Sequence, residues 1–129
     1  MIETGTVYII QQAKAKPDGW VPNLEPATQF GKLQFIFDAN DKIHLDPQEA
    51  LKKAHKRLKD FNPDTDFICS TQSGDPSGLW LVITYLASSG NPVLKFLYWN
   101  RSVKGGSRTN EAGFYYPVEI DCRKENLEG

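Results

Sequence analysis

A three-residue apolar run that turns at once into a helix opening constrains this chain more than any other feature: Asp64 to Gly78 reads DTDFICSTQSGDPSG. Phe67-Ile68-Cys69 is too short for a helix and is bounded by turn formers on both sides, as expected of a strand buried on both faces. It is the expected central strand. Ser73-Gly74-Asp75-Pro76 then supplies a chain reversal, a helix N-cap at Asp75 and a residue suited to the first helical position at Pro76. A strand followed by a Gly turn and a helix N-terminus is also where open α/β sheets place ligands.

The rest of the chain repeats this grammar. Thr6 to Gln11 (TVYIIQ) is β-branched and aromatic and reads as a first strand. Gln12 to Gly31 carries Pro17, Pro22 and Pro26 without a periodic pattern, so it reads as a long loop. Its apolar residues Trp20, Val21, Leu24 and Phe30 suggest that it folds back over the sheet. Leu33 to Phe37 is a second strand, with Leu33, Phe35 and Phe37 on one face. Asp46 caps a first helix, with Pro47 in its first turn, Glu49 at capping-box spacing, and Leu51, Ala54, Leu58 and Phe61 along one face until Asn62-Pro63 stops it. Leu79 to Ser88 follows the Asp-Pro opening and also puts Leu79, Val82, Ile83 and Leu86 on one helical face, although Trp80, Val82, Ile83, Thr84 and Tyr85 are good strand formers. The spacing predicts a helix. Val93 to Trp99 is a fourth strand and Phe114 to Ile120 a fifth, where Pro117 marks a sheet edge.

Strand-helix-strand-helix-strand order requires strands two, three and four to run parallel through right-handed crossovers. The helix-free connection from strand four to five, residues 100–113, makes those two an antiparallel hairpin. The expectation is a single α/β domain over residues 1–121, a mixed and mostly parallel sheet of about five strands with two helices, followed by a frayed polar tail at 122–129.

Fifteen basic and sixteen acidic residues leave a net charge of −1, so no global field announces a nucleic acid or a membrane. The N-terminus has no basic region ahead of its short apolar run, which argues against a signal peptide or a span and for the cytosol. Cys69 and Cys122 are expected as free thiols, and His44 and His55 are too few for a structural zinc site. No cofactor is expected.

Several short motifs look familiar in this order: Trp20-Val21-Pro22-Asn23 with Ala27-Thr28-Gln29-Phe30-Gly31, the run Leu58 to Phe67, Gly74-Asp75-Pro76, Leu97-Tyr98-Trp99-Asn100-Arg101, and Tyr116-Pro117-Val118-Glu119-Ile120. Together they resemble a family of small uncharacterised proteins from tailed bacteriophages, over about Trp20 to Ile120. In that family the segment after Gly-Asp-Pro looks helical and Ala-rich, which supports the second helix. This chain departs from it there with bulkier residues, and in its longer loop after Asn100. The resemblance implies a viral origin and the host cytoplasm, and no mechanism.

Three local features are candidates for function. The turn Ser73, Gly74, Asp75, Ser77 and Gly78 offers backbone N–H groups at a helix start to an anion, but Asp75 would occupy them itself, and neither G-x-x-x-x-G-K-[ST] nor G-x-G-x-x-G is present. Lys52, Lys53, Lys56, Arg57 and Lys59 form a basic helix face. Arg101, Lys104 and Arg108 lie in a Gly-containing loop flanked by Tyr98, Trp99, Phe114, Tyr115 and Tyr116. These last two could track a phosphate backbone with stacking aromatics, or be a solvated face and a hairpin loop with the aromatics in the core. Asp64 and Asp66 read as turn residues between the first helix and the third strand. No nucleophile, base and acid converge, so no catalytic residue is assigned. The expectation is a non-enzymatic phage-type accessory protein that binds a host or phage protein, with Trp20, Val21 and Leu24 and the edge strand as contacts. The alternative is a nucleic-acid-binding module for DNA or RNA; no membrane partner is expected.

Overall fold

The computed structural model describes residues 5–13, 17–18, 24–69, 76–101 and 113–128. They form β1 (Thr6–Gln11), a 3-10 helix (Glu25–Phe30), β2 (Lys32–Phe37), α1 (Pro47–Arg57), β3 (Phe67–Cys69), α2 (Pro76–Ser88), β4 (Val93–Arg101), β5 (Gly113–Asp121) and a single-turn α3 (Lys124–Leu127). The sheet order is β2-β1-β3-β4-β5, with β3 at the centre. β1, β2, β3 and β4 are parallel and β5 returns antiparallel to β4 as the edge. The disputed segment is helical: Leu79 to Ser88 all lie in α2.

Handedness decides which element covers which face. The steps β2 to β3 and β3 to β4 move the same way across the sheet, so right-handed crossovers put α1 and α2 on one side. The step β1 to β2 moves the other way, so its connection crosses the opposite face. Two clusters result. Tyr8, Ile10, Ile36, Ile68 and Leu94 pack under Ala50 and Ala54 of α1, Leu58 just after it, and Val82 and Leu86 of α2. Val7, Ile9, Cys69, Leu97 and Tyr115 pack on the other face with Ala27, Leu24 and Phe30 from the 3-10 helix and its flank.

Several local expectations shift. The 12–31 connection contains the 3-10 helix, which Pro26 starts, with Ala27 N donating to Leu24 O (3.0 Å) and Thr28 Oγ1 to Glu25 O (2.6 Å). In α1 the buried positions are Ala50 and Ala54, with Leu58 just beyond, while Leu51 is half-exposed; the small Ala50 side chain lets the first turn sit close to the sheet. The helix ends at Arg57, and a tighter turn, Phe61 N to Leu58 O (3.1 Å), keeps Phe61 against Tyr8. On β2, Leu33 and Phe35 share a face, but Phe37 joins the helix-side cluster as the chain leaves the sheet. The tail after β5 carries α3, tied back through Asp121, which accepts from Arg123 N (3.0 Å), Arg123 Nε (3.0 Å) and Asn126 Nδ2 (2.8 Å).

The entry end of the sheet is closed by buried polar contacts. Asp66 accepts from Thr6 N (2.8 Å), Asn62 N (2.7 Å) and Thr65 Oγ1 (3.1 Å), joining the start of β1 to the turn that leads into β3. Backbones approach too closely there for side chains. A Cβ on Gly31, whose φ is +151°, would lie 2.3 Å from Gly5 O.

Candidate functional site

The end of β3 at Cys69 lies at the topological switch point, where the connections from β1 and β3 leave in opposite directions, and α2 starts at Pro76. Ser73, Gly74 and Asp75 lie outside the described residues. Ser77 is half-buried in the first turn of α2. Gly78 is buried, and a Cβ there would lie 2.8 Å from Ile43 Cδ1 and 2.9 Å from Ile10 Cγ2, so its small size serves the approach of α2 to β1. The neighbouring strand end is occupied by the protein's own groups. Gln11 Nε2 donates to Asp38 O (3.0 Å) and Asp41 O (2.8 Å), and Lys53 reaches across to Asp38 Oδ2 (2.9 Å) and Asp41 Oδ2 (2.6 Å).

That clamp accounts for one member of the basic helix face. The hydrogen bond to Asp41 raises the Lys53 pKa above its ordinary value, against a smaller opposing effect of burial. Partial burial works against the Asp41 carboxylate, but the hydrogen bonds from Lys53 and the Asp38 backbone hold its pKa below the usual range. Lys52 pairs with Glu49 at 3.2 Å. Lys56, Arg57 and Lys59 are exposed. Lys104 and Arg108 lie outside the described residues, and Arg101 is the last residue of β4. Since α1 packs on β2 and beside α2, the basic helix lies toward the edge of the sheet opposite β5. The side chains of the second basic feature lie outside the described residues, so only the helix face is placed.

The aromatics divide by strand parity. Trp99 and Tyr115 stack edge to face at 4.7 Å on the side of the 3-10 helix and belong to that core. Tyr98, Phe114 and Tyr116 stand on the other side, in the register Tyr98 opposite Tyr116 and Asn100 opposite Phe114, with ring centroids 5.7 and 6.1 Å apart along the row. Among the described residues no helix covers them. Tyr98 is 61% exposed, Phe114 49% and Ile120 51%. The positions on this face are Leu94, Phe96 and Tyr98 of β4 and Phe114, Tyr116, Val118 and Ile120 of β5, and none carries a charge.

The helix beside this face is also charge-free. α2 reads PSGLWLVITYLAS, and Trp80, opposite the buried Gly78, Val82 and Leu86, is 65% exposed. Tyr85 meets His55 of α1, with its hydroxyl 2.9 Å from Nδ1, so the Leu81/Tyr85 flank of α2 faces α1. The Leu79/Ile83 flank therefore points away from α1, toward the β4–β5 side of the sheet, and packs partly against the helix-side core. The sequence signal that separates the hairpin aromatics into two groups is the charge-free even positions of β4 and β5, alternating with Lys95, Glu119 and Asp121 at odd ones.

The expected contact residues Trp20 and Val21 lie outside the described residues, and Leu24 is packed against the second core cluster. Among the described residues no group of three His, Cys, Asp or Glu could hold a metal ion, and no helix is long and apolar enough to cross a membrane. Cys69 is buried, and burial pushes its thiol up to about 11, against a weaker opposing hydrogen bond with Tyr115; Cys122 is exposed.

The model of the family described as Phage Pam3 gp32-like protein matches residues 5–122. The chain belongs to this phage protein family. The match takes in all five strands and both longer helices, and so includes the bare face of β4–β5 and the charge-free helix beside it. No curated protein and no solved structure matches the chain.

Proposed function

We propose that this phage protein acts in the host cytoplasm by binding another protein, host or viral, through the uncovered face of β4–β5, and carries out no chemistry of its own. The observation that carries the reading is the combination of exposure and missing charge on that face. Single exposed apolar residues are ordinary, but a contiguous row beside a helix without a charge is the pattern of an interaction surface. A surface helix normally turns charged side chains to water, and the exposed side of α2, with Trp80, Thr84, Ala87 and Ser88, carries none.

A row of stacked rings also suits single-stranded nucleic acid, and this is the second reading. Against it, a phosphate backbone needs cations along the platform, and the strand positions facing that way are neutral. The test is affinity capture from phage-infected cells with wild-type protein and with Tyr98→Arg/Tyr116→Arg. The reading expects a protein retained by the wild type and lost from the double variant. A gel shift on single-stranded DNA that weakens steeply with salt, with no protein captured, would replace it with the nucleic-acid reading.

A further inference from the structure

Resting on that protein-binding reading, we infer that the partner supplies an amphipathic helix, laid beside α2 in the place where a third helix would cover the sheet. Packed helices lie about 8–10 Å apart and strands about 4.8 Å apart, so one helix covers roughly two strands. Two helices therefore cover about four of the five strands in this sheet. The width left bare, β5 with the outer side of β4, is that of one helix.

The surroundings select the occupant. The floor of this step is Tyr98, Tyr116 and Phe114, and its wall is Leu79 and Ile83, with Trp80 above them. All six are uncharged, which fits the apolar face of a helix and leaves nothing to hold anionic lipid. Half-exposed aromatics of this number offer on the order of 300 Å². Two copies stacked flat on the sheet would bury little more than that from each side, well short of the roughly 800 Å² per partner of a stable interface. A helix in the step gains the α2 wall as well.

An added strand is disfavoured by the edge itself. Cys122 N donates to Pro92 O at 2.8 Å, and the β4–β5 register is unbroken from Val93 opposite Asp121 to Arg101 opposite Gly113. Alternation along β5 then points the even-numbered backbone groups at β4 and the odd-numbered ones outward. Pro117 falls among the outward ones, so the open edge lacks a donor at its centre.

The test pans two peptide display libraries against the folded protein: a 20-residue helical host randomised along one face, and an extended strand-type host. The expected result is helical binders with apolar anchors at i, i+3 or i+4, and i+7. Their affinity should fall about tenfold or more with Tyr98→Arg, should fall less with the milder Tyr98→Ser, and should be unchanged by Pro117→Val, which alters only the edge. Enrichment of extended peptides alone, helical binders indifferent to Tyr98→Arg, no helical binder at all, or binding only to phosphatidylglycerol vesicles would overturn the inference. Loss of a captured cellular protein from the Tyr98→Arg/Tyr116→Arg variant would still uphold the protein-binding reading in those cases.

Discussion

The two halves of the sheet are built on opposite terms. Around β2, β1 and β3 both faces are covered, by the helices on one side and the 3-10 helix on the other, and polar groups are matched to partners: buried Asp66 to two backbone amides, buried Gln11 to two carbonyls, half-buried Lys53 to two carboxylates. Around β4 and β5 one face is covered and the other presents aromatic rings to solvent. The first half has what a fold needs. The second carries apolar surface that the fold does not use and that is free to meet a partner.

Substitutions should separate the halves sharply, and the largest loss is expected from Asp66→Ala. Its carboxylate satisfies Thr6 N and Asn62 N at once, so truncation leaves two amides unpaired and should cost about 3 kcal/mol in urea unfolding. Asp66→Asn keeps one acceptor and should cost less. If Asp66→Ala unfolds at the wild-type midpoint, the closed half is not held as described. Gly31→Ala comes next, at roughly 2 kcal/mol, because the new Cβ meets the Gly5 carbonyl at a backbone geometry that side chains rarely adopt. A stable Gly31→Ala protein would show that the β1 and β2 entry can spread apart.

The cysteines sharpen the same contrast chemically. In native protein at pH 8, one thiol equivalent, Cys122, should react with a disulfide reagent, and two after denaturation. The pH dependence has a defined sign. An unfolded thiol ionises near 9, whereas folded Cys69 holds its proton to about 11, so between those values the unfolded state binds fewer protons and stability falls as pH rises. Cys69→Ala should lose the share of that slope that begins near 9, while paying a separate packing cost; the hydroxyls of Tyr8 and Tyr115, which burial also pushes above the ordinary value of 10.0, keep their share at higher pH. Smallest of all should be Tyr98→Arg, within about 0.5 kcal/mol of wild type, as for other exposed positions. A loss of several kcal/mol would mean that the bare face is part of the core.

Much of this architecture was legible in the residues. Asp46 and Pro47 announced α1, and the capping carboxylate does accept from Glu49 N at 3.2 Å. The strand-forming composition of Leu79 to Tyr85 did not prevail, because the apolar side chains still recur at helical spacing. Pro117 located the edge. The long-range pairings were not legible. Nothing local in Lys53 says that it will span to Asp38 and Asp41, and this pairing, with the packing of α1 toward β2, takes the basic helix away from the hairpin. Strand order decided the rest: β1 lies between β2 and β3, which leaves β5 beyond the reach of either helix.

The central claim, that the closed half makes the fold and the bare half does the binding, is tested most directly by hydrogen exchange on the wild-type protein with and without its captured cellular partner. The account predicts added protection in α2 from Leu79 to Ala87 and in β4–β5, with β1, β2 and the 3-10 helix unchanged. Protection confined to the 3-10 helix and β2, or to α1, would contradict it.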